Sequence, residues 1–514
     1  MKKILTGRTA NICIVLSVFC FAFAFQVTLA NALSPAEKTA VEWIDSIKAT
    51  YGEITDYIWD HPELSLDEYK SSAKLIEYLE KNGFTVVKGV AGMETAFVAT
   101  WGSGKPVIGF LAEYDALPNL SQTPGKIERK PITVGAPGQG CGHHLYGTTS
   151  CTAAIATAKA MAAHGIKGTV KLYGTPAEET LMGKVFMASK GVFDEADSVI
   201  SWHPGDVNGI GNSTCLAMNS AKFQFKGRAS HAGTAPEHGR SALDAVELMS
   251  IGVNFMREHI IEQARIHAVT TSGGQAPNVV PPFAETWYFV RAPHRHQVEE
   301  IFKWMVAIAE GAAKMTQTQV THDLLAATYE VLPINALCEV GFEAMKRVGP
   351  PAFTEEEQKY GEEVVKSLGK QLKGKAYSTA MRGPSLKRKF PDVYRGRYST
   401  DQGNVSWITP TMSFRGATWA YKTPGHSWQL VCQGKSSGAK RAGLQVSKWM
   451  AASALALLSD TGLIEKAKAE HAGYLKQFPY KDPVKNVPLP TLEKLYRIKR
   501  TAVPGRYDDD PAGR

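Results

Sequence analysis

The sequence predicts an α/β protein with a central, mostly parallel sheet, flanking helices and a smaller α+β domain inserted into it. Three observations point there. Short continuous apolar runs at 107–111, 169–173 and 198–202 suit strands buried on both faces, and helical stretches separate them. Near residue 217 the pattern changes to alternating apolar and polar residues, as half-exposed strands require. The chain has 514 residues, more than one hydrophobic core ordinarily organises.

Taken in order, residues 1–32 stand apart. Lys2, Lys3 and Arg8 form a basic start, residues 12–25 are apolar, and Ala30-Asn31-Ala32 offers a small–x–small cleavage site. This is the layout of a secretory signal peptide. The apolar run is short for a bilayer span, and no later stretch is long and apolar enough to make one. The expectation is an exported chain, periplasmic or secreted, with no stable membrane insertion once the leader is removed. Residues 35–60 read as an amphipathic helix through Ala40, Val41, Trp43, Ile44 and Ile47, and 67–82 as another. Residues 147–163, rich in Ala and Thr, read as a tightly packed helix. From 217 onward, strands at 222–227, 285–291 and 317–322 and helices at 242–261 and 298–314 fit the β-α-β-β-α-β order of a ferredoxin-like sandwich, three of whose four strands they supply. Residues 33–216 and 333–478 then form the larger domain, 217–332 the insertion, and 479–514 a basic, Pro-rich tail.

The leader carries three positive charges and no acidic residue, which leaves +6 of the formal +9. Much of the remaining excess lies at 370–397 and 494–506. No basic helix with interleaved aromatics accompanies it, so nucleic acid is not an expected partner; a solvated basic surface would favour anionic small molecules. Of seven cysteines, Cys13 and Cys20 fall in the leader. Five remain: Cys141, Cys151, Cys215, Cys338 and Cys432. In an oxidising compartment an odd number leaves at least one unpaired within the chain, and Cys141 is the candidate.

Cys141 belongs to Gly140-Cys141-Gly142-His143, where a thiolate and an imidazole two residues apart can face one ion. Glu178-Glu179 follow the second buried strand, and ligands gather at the carboxyl ends of strands in open α/β sheets. Adjacent carboxylates there repel unless a cation is present. His203 closes the third strand, Asp115 follows the first, and His426 stands in Pro424-Gly425-His426-Ser427-Trp428. Each has a bland reading alone: a chance Cys-x-His, an exposed acidic turn, a structural histidine. Their convergence on one rim carries the inference. His61, His164, His267 and His471 are read as structural or surface residues. Gly102-Ser103-Gly104-Lys105 lacks the spacing of a phosphate loop.

These segments, with Ile58-Trp59-Asp60-His61-Pro62-Glu63, Glu113-Tyr114-Asp115-Ala116-Leu117, residues 239–246, Pro277-Asn278-Val279-Val280 and Ser399-Thr400-Asp401, resemble a family of metal-dependent amidohydrolases and carboxypeptidases. It contains aminoacylases, hippurate hydrolase, plant indole-acetyl-amino-acid hydrolases and p-aminobenzoyl-glutamate hydrolase. The likeness is collinear over roughly residues 35 to 475. It implies a zinc-exopeptidase-like catalytic domain and makes the insertion a lid and dimerisation domain. It further implies two divalent ions, zinc or manganese, held by Cys141, His143, Glu179, His203 and His426. Glu178 becomes the general base and Asp115 the carboxylate that steadies the site. His231 becomes a histidine that reaches the site of a partner protomer, and Asn278 and Arg291 become residues that hold the substrate's carboxylate. The implied reaction is hydrolysis of the amide of an N-acyl or N-aroyl amino acid, such as p-aminobenzoyl-glutamate, by a metal-activated water. The implied assembly is a homodimer or hetero-oligomer formed through the lid.

Three positions depart from the family pattern. His144 replaces an aspartate after Cys-Gly-His, Glu113 replaces the first carboxylate of an aspartate-x-aspartate, and Asn404 stands where relatives often carry aspartate. Two other functions stay open at this point. One is a metal-free hydrolase with Cys141 as nucleophile and His143 as base; the other is a non-catalytic member of a hetero-oligomer that keeps the fold.

Overall fold

The computed structural model describes residues 32–385 and 388–496. The expected leader therefore lies, apart from Ala32, outside the described residues.

The larger domain is built on an eight-stranded sheet. Its strands are β1 (Thr85–Lys88), β2 (Phe97–Ser103), β3 (Val107–Ala112), β4 (Gly168–Gly174), β5 (Ser198–Gly205), β6 (Asn208–Ile210), β11 (Met381–Arg382) and β12 (Thr411–Ala417), in the order β1-β2-β4-β3-β5-β12-β6-β11. The four central strands β4, β3, β5 and β12 run parallel. β2 joins β4 antiparallel, and β6 joins β12 antiparallel, so the sheet is mixed. The reversals are at the margins; β1 and β2, also antiparallel, follow one another directly in the chain, whereas each parallel neighbour needs a crossover. All six residues of β3 are buried, as its unbroken apolar run predicts.

Helix His143–His164 packs on β3 and also against helix Ser437–Ser459. Its small residues permit close approach: a Cβ at Gly147 would stand 2.8 Å from the Glu113 carbonyl oxygen and 2.9 Å from Leu75. The amphipathic stretch at 35–60 is two helices, Pro35–Ser46 and Lys48–Asp60, divided at Ile47. Ser34 and Glu37 close a capping box at the first of them.

The insertion has β7 (Ala217–Lys226), β8 (Arg265–Ser272), β9 (Phe283–Ala292) and β10 (Gln319–Thr328) in the order β10-β7-β9-β8, all antiparallel. Helices Ala242–Met256 and Arg295–Thr316 pack against the sheet over a separate apolar core. The β-α-β-β-α-β order is thus present. β8, which the order demands but the apolar pattern does not locate, is an edge strand, and most of it is exposed. Residues 479–496 of the expected tail lie against both domains. Val484, Leu492 and Leu495 are buried, Lys222 of β7 donates to the carbonyls of Lys494 and Leu495, and Lys494 Nζ stands 2.9 Å from Asp323 of β10. Cys141, Cys151, Cys215, Cys338 and Cys432 are all free thiols.

Gly147→Ala tests this packing. Because the backbone of Glu113 cannot yield as a side chain can, the variant should be destabilised by about 1–3 kcal/mol despite its better helix propensity. Denaturant unfolding measures this, and an unchanged midpoint would contradict it.

Candidate metal centre

The predicted metal ligands, with Asp115 and Glu178, meet at the carboxyl ends of β3, β4 and β5. β3 runs directly into Glu113 and Asp115. β4 runs into a turn in which Ala177 takes a left-handed φ of 57°, presenting Glu178 and Glu179. His203 lies within β5. Gly142, with a φ of 79°, caps the helix that begins at His143, and a Cβ there would press on Pro204 at 3.2 Å. His426, also at positive φ, is fastened by its N–H to the Gly140 carbonyl at 2.9 Å.

Two ring orientations are set by outer partners. His143 Nδ1 donates to Asp115 Oδ1 at 2.9 Å, which turns Nε2 inward. His203 Nδ1 donates to the Pro204 carbonyl at 2.8 Å, and its Nε2 faces Cys141 Sγ at 3.5 Å. Asp115 Oδ2 accepts from the Ser65 hydroxyl at 3.0 Å and from the Glu179 N–H at 2.8 Å. Asp115 therefore steadies the site from behind.

The inward-facing atoms form three overlapping donor sets: Cys141, His143 and His203; Cys141, Glu179 and His426; Glu113, His143 and Glu178. Within each set all donor atoms lie within 4.8 Å of one another. His143 Nε2, Glu113 Oε2 and Glu179 Oε1 are buried without a hydrogen-bond partner. Such orphaned atoms are costly unless a cation satisfies them. Two donors about 2.0–2.3 Å from one ion, at angles of about 90–110°, stand roughly 2.8–3.8 Å apart. The spacings of Cys141–His203 at 3.5 Å, Glu179–His426 at 3.4 Å and Glu113–His143 at 3.2 Å fall in that interval. The donors present thus fit a metal centre.

Charge leads to the same conclusion. Glu113 and Asp401 pair with the buried ammonium of Lys184, and Glu113, Asp115, Glu178 and Glu179 crowd around the buried His143 ring. Burial, with the charges of Glu113 and Asp401, raises the Glu178 carboxyl well above its usual range. Burial pushes Glu179 up to about 8. Burial and the Arg415 charge hold His203 well below the usual imidazole value, so it is neutral and able to ligate.

Sequence reasoning did not single out Lys184. It is fully buried, with Nζ 2.8 Å from Glu113 Oε1 and 2.6 Å from Asp401 Oδ1. The available clue was a lone charge in the otherwise apolar helix Gly183–Ser189. Of the departures, His144 is structural: its Nε2 meets the Gly434 carbonyl at 3.0 Å, and burial lowers its pKa to about 3. Asn404 is structural too, its side-chain oxygen accepting from the Tyr329 N–H at 3.1 Å.

The lid residues divide. Arg291 on β9 is within electrostatic reach of the centre. Burial lowers its pKa while the Glu178 charge opposes that, and its Nε has no hydrogen-bond partner. His231 and Asn278 instead lie side by side on an exposed part of the lid, joined through a His231–Val279 bridge and an Ala232 N–H to Asn278 carbonyl bond of 3.0 Å. Among the described residues, no hydrogen bond or ion pair links either to the metal-centre side chains of the same chain.

Residues 217–316 match the peptidase dimerisation domain of the M20 family. The chain is 40% identical over 464 residues to one of the two component chains of p-aminobenzoyl-glutamate hydrolase of Escherichia coli, covering 86% of this chain and 96% of that one. The chain belongs to the M20 family of peptidases and amidohydrolases. It is accordingly an enzyme that acts on amide bonds. A Xaa-Arg dipeptidase of Mus musculus is 28% identical over 460 residues, covering 86% of this M20 chain and 93% of its own. Two solved structures share the fold. An aminobenzoyl-glutamate utilization protein from Klebsiella pneumoniae matches with a TM-score of 0.53 at 18% identity, over 78% of this chain and 97% of that one. A dinuclear metal-binding M20 peptidase from Bacillus subtilis matches with a TM-score of 0.50 at 17% identity, over 81% and 99%.

The raised carboxyl groups predict a pH dependence. Near pH 7 the metal-free centre holds protons that an incoming ion must displace. Affinity for Zn²⁺ or Mn²⁺ should therefore rise from pH 6 to pH 8, and binding at pH 7 should release protons. Calorimetry in buffers of different ionisation enthalpy reads this, and a buffer-independent heat would contradict it.

Proposed function

We propose that this enzyme hydrolyses the amide bond of a small N-acyl or N-aroyl amino acid, using two divalent ions, zinc or manganese, held by Cys141, His143, Glu179, His203 and His426. The observation that carries the reading is the convergence of orphaned, inward-facing donors on His143, Glu113 and Glu179, with the His143 ring turned by Asp115. The Bacillus subtilis neighbour, a dinuclear metal-binding peptidase, supports the pair of ions.

When bound, the ions supply Lewis acidity toward the scissile carbonyl and lower the pKa of water. The chain's own groups do the rest. Glu178, whose nearer oxygen stands 3.9 Å from His143 Nε2, is free of Asp115's hydrogen bonds and has a raised proton affinity. It takes a proton from the attacking water and returns it to the leaving amine. Arg291, approaching from the lid, pairs with the substrate's carboxylate and aligns the amide. His231 and Asn278, exposed on the lid, serve a second copy or a related chain, with His231 donating to the oxyanion. The dimerisation domain supports such an assembly, and both component chains of the Escherichia coli p-aminobenzoyl-glutamate hydrolase are similar to this one.

An aroyl-glutamate such as p-aminobenzoyl-glutamate is the first substrate choice, on the relative that is 40% identical. The basic excess of the chain suits such an anion. The leader-like residues 1–32 make export to the periplasm or medium part of the proposal. A cysteine nucleophile is disfavoured, because burial and Glu179 raise the Cys141 thiol where a nucleophile needs it lowered.

The deciding experiment strips the purified protein, reloads it with zinc or manganese, and screens p-aminobenzoyl-glutamate, hippurate, indole-acetyl-aspartate and dipeptides. Hydrolysis of an aroyl amino acid only after reloading is expected. No cleavage under either metal would abandon catalysis by this chain alone in favour of a partner-dependent role. Glu178→Gln should lower kcat by about 10²–10⁴-fold while the ion content stays that of the wild type. Retained turnover would reassign the base.

A further inference from the structure

Glu113 is a larger residue than the family pattern expects, and none of the roles assigned above uses its second oxygen. The side chain is 1% exposed at the end of β3. Oε1 is held at 2.8 Å by Lys184 Nζ, which Asp401 holds at 2.6 Å from the other side, while the Lys184 N–H donates to Asp401 Oδ2 at 2.8 Å. That clamp leaves Oε2 pointing toward His143 Nε2, 3.2 Å away. The approach is not a hydrogen bond, for both atoms are buried and lack hydrogen-bond partners. With Nδ1 held by Asp115, Nε2 and the carboxylate oxygen face each other across a gap that no hydrogen bond fills. A divalent ion in that gap would satisfy both atoms. Glu113, His143 and Glu178 are also one of the three donor sets whose atoms lie within 4.8 Å of one another.

We propose that Glu113 is a sixth protein ligand of the metal pair, binding through Oε2 the same ion as His143, and that the buried Lys184–Asp401 pair is the positioning device that aims it. The inference rests on the two-ion reading above and adds a ligand to it. Lys184 has two effects. It neutralises Oε1, so that Glu113 brings less negative charge to the ion than a free carboxylate, and it prevents the side chain from rotating both oxygens away. One methylene more than aspartate is what carries the carboxylate beyond the strand end.

The test uses the purified protein loaded with Co²⁺, read by elemental analysis in a chelator buffer and by visible absorption. Wild type should bind two ions per chain. Glu113→Gln should keep one ion and bind the other at least about 100-fold more weakly, with the absorption band of that ion altered. Glu113→Asp, which retains the charge but not the reach, should show the same altered band, and it carries the test if the glutamine variant does not fold. Two ions held within about twofold of wild-type affinity would overturn the proposal. So would weakened binding with an unchanged band, which is what a purely electrostatic role gives. Wild type binding no ion would overturn the two-ion reading itself, a result distinct from either.

Discussion

Asp115 accepts hydrogen bonds from the His143 ring, the Ser65 hydroxyl and the Glu179 N–H, and so ties three chain segments to the end of β3. Burial alone would raise its carboxyl, but His143, the Glu179 N–H and Lys184 hold it below the usual carboxylate range, so it stays ionised. The orientation of His143 and the position of the Glu178–Glu179 turn both follow from it. Glu68 works from the other side of that turn, accepting from the Ala177 N–H at 2.8 Å and the Thr95 hydroxyl at 2.8 Å. Between them the two carboxylates offset the left-handed backbone at Ala177, a conformation that costs a non-glycine residue about 1–2 kcal/mol.

The lid is held at its root by a comparable device. Arg295, buried, donates to the carbonyls of Met218 and Thr328, where β7 leaves and β10 re-enters the larger domain. Glu330 accepts from the Arg295 N–H, and the Trp407 indole donates to the Glu330 carbonyl at 2.7 Å. Lys222 and Asp323 add a third tie through the segment around Lys494 and Leu495. Such ties fix how β9 meets the rim and hence where Arg291 stands. They leave the part of the lid that bears His231 and Asn278 exposed.

Much of this was legible in the chain itself. The buried strands β3, β4 and β5 appear as continuous apolar runs because both faces are covered, and the lid's alternation appears because one face of its sheet is not. The ligand types were legible because thiol, imidazole and paired carboxylates seldom follow strand ends without a reason. β1, β2, β6, β11 and β12 were not located. They are short marginal strands or, in β2 and β12, runs whose apolar residues are interrupted, by Thr100 and Gly102 in one and by Ser413 and Arg415 in the other, and pairing with neighbours defines them. The break at Ile47 was hidden because the apolar stripe continues across it.

By itself, the sequence determined the two-domain α/β architecture, the donor residues available at the rim and the family to which they belong, since these follow from local periodicity and residue chemistry. Only the tertiary structure decided which atoms face one another. Lys184 meets Asp401 across 217 residues, and His144 turns to the Gly434 carbonyl across 290. No local pattern encodes such pairs. They arise because a buried charge or polar ring must find a partner, and the partner it finds is set by how the sheet and helices pack.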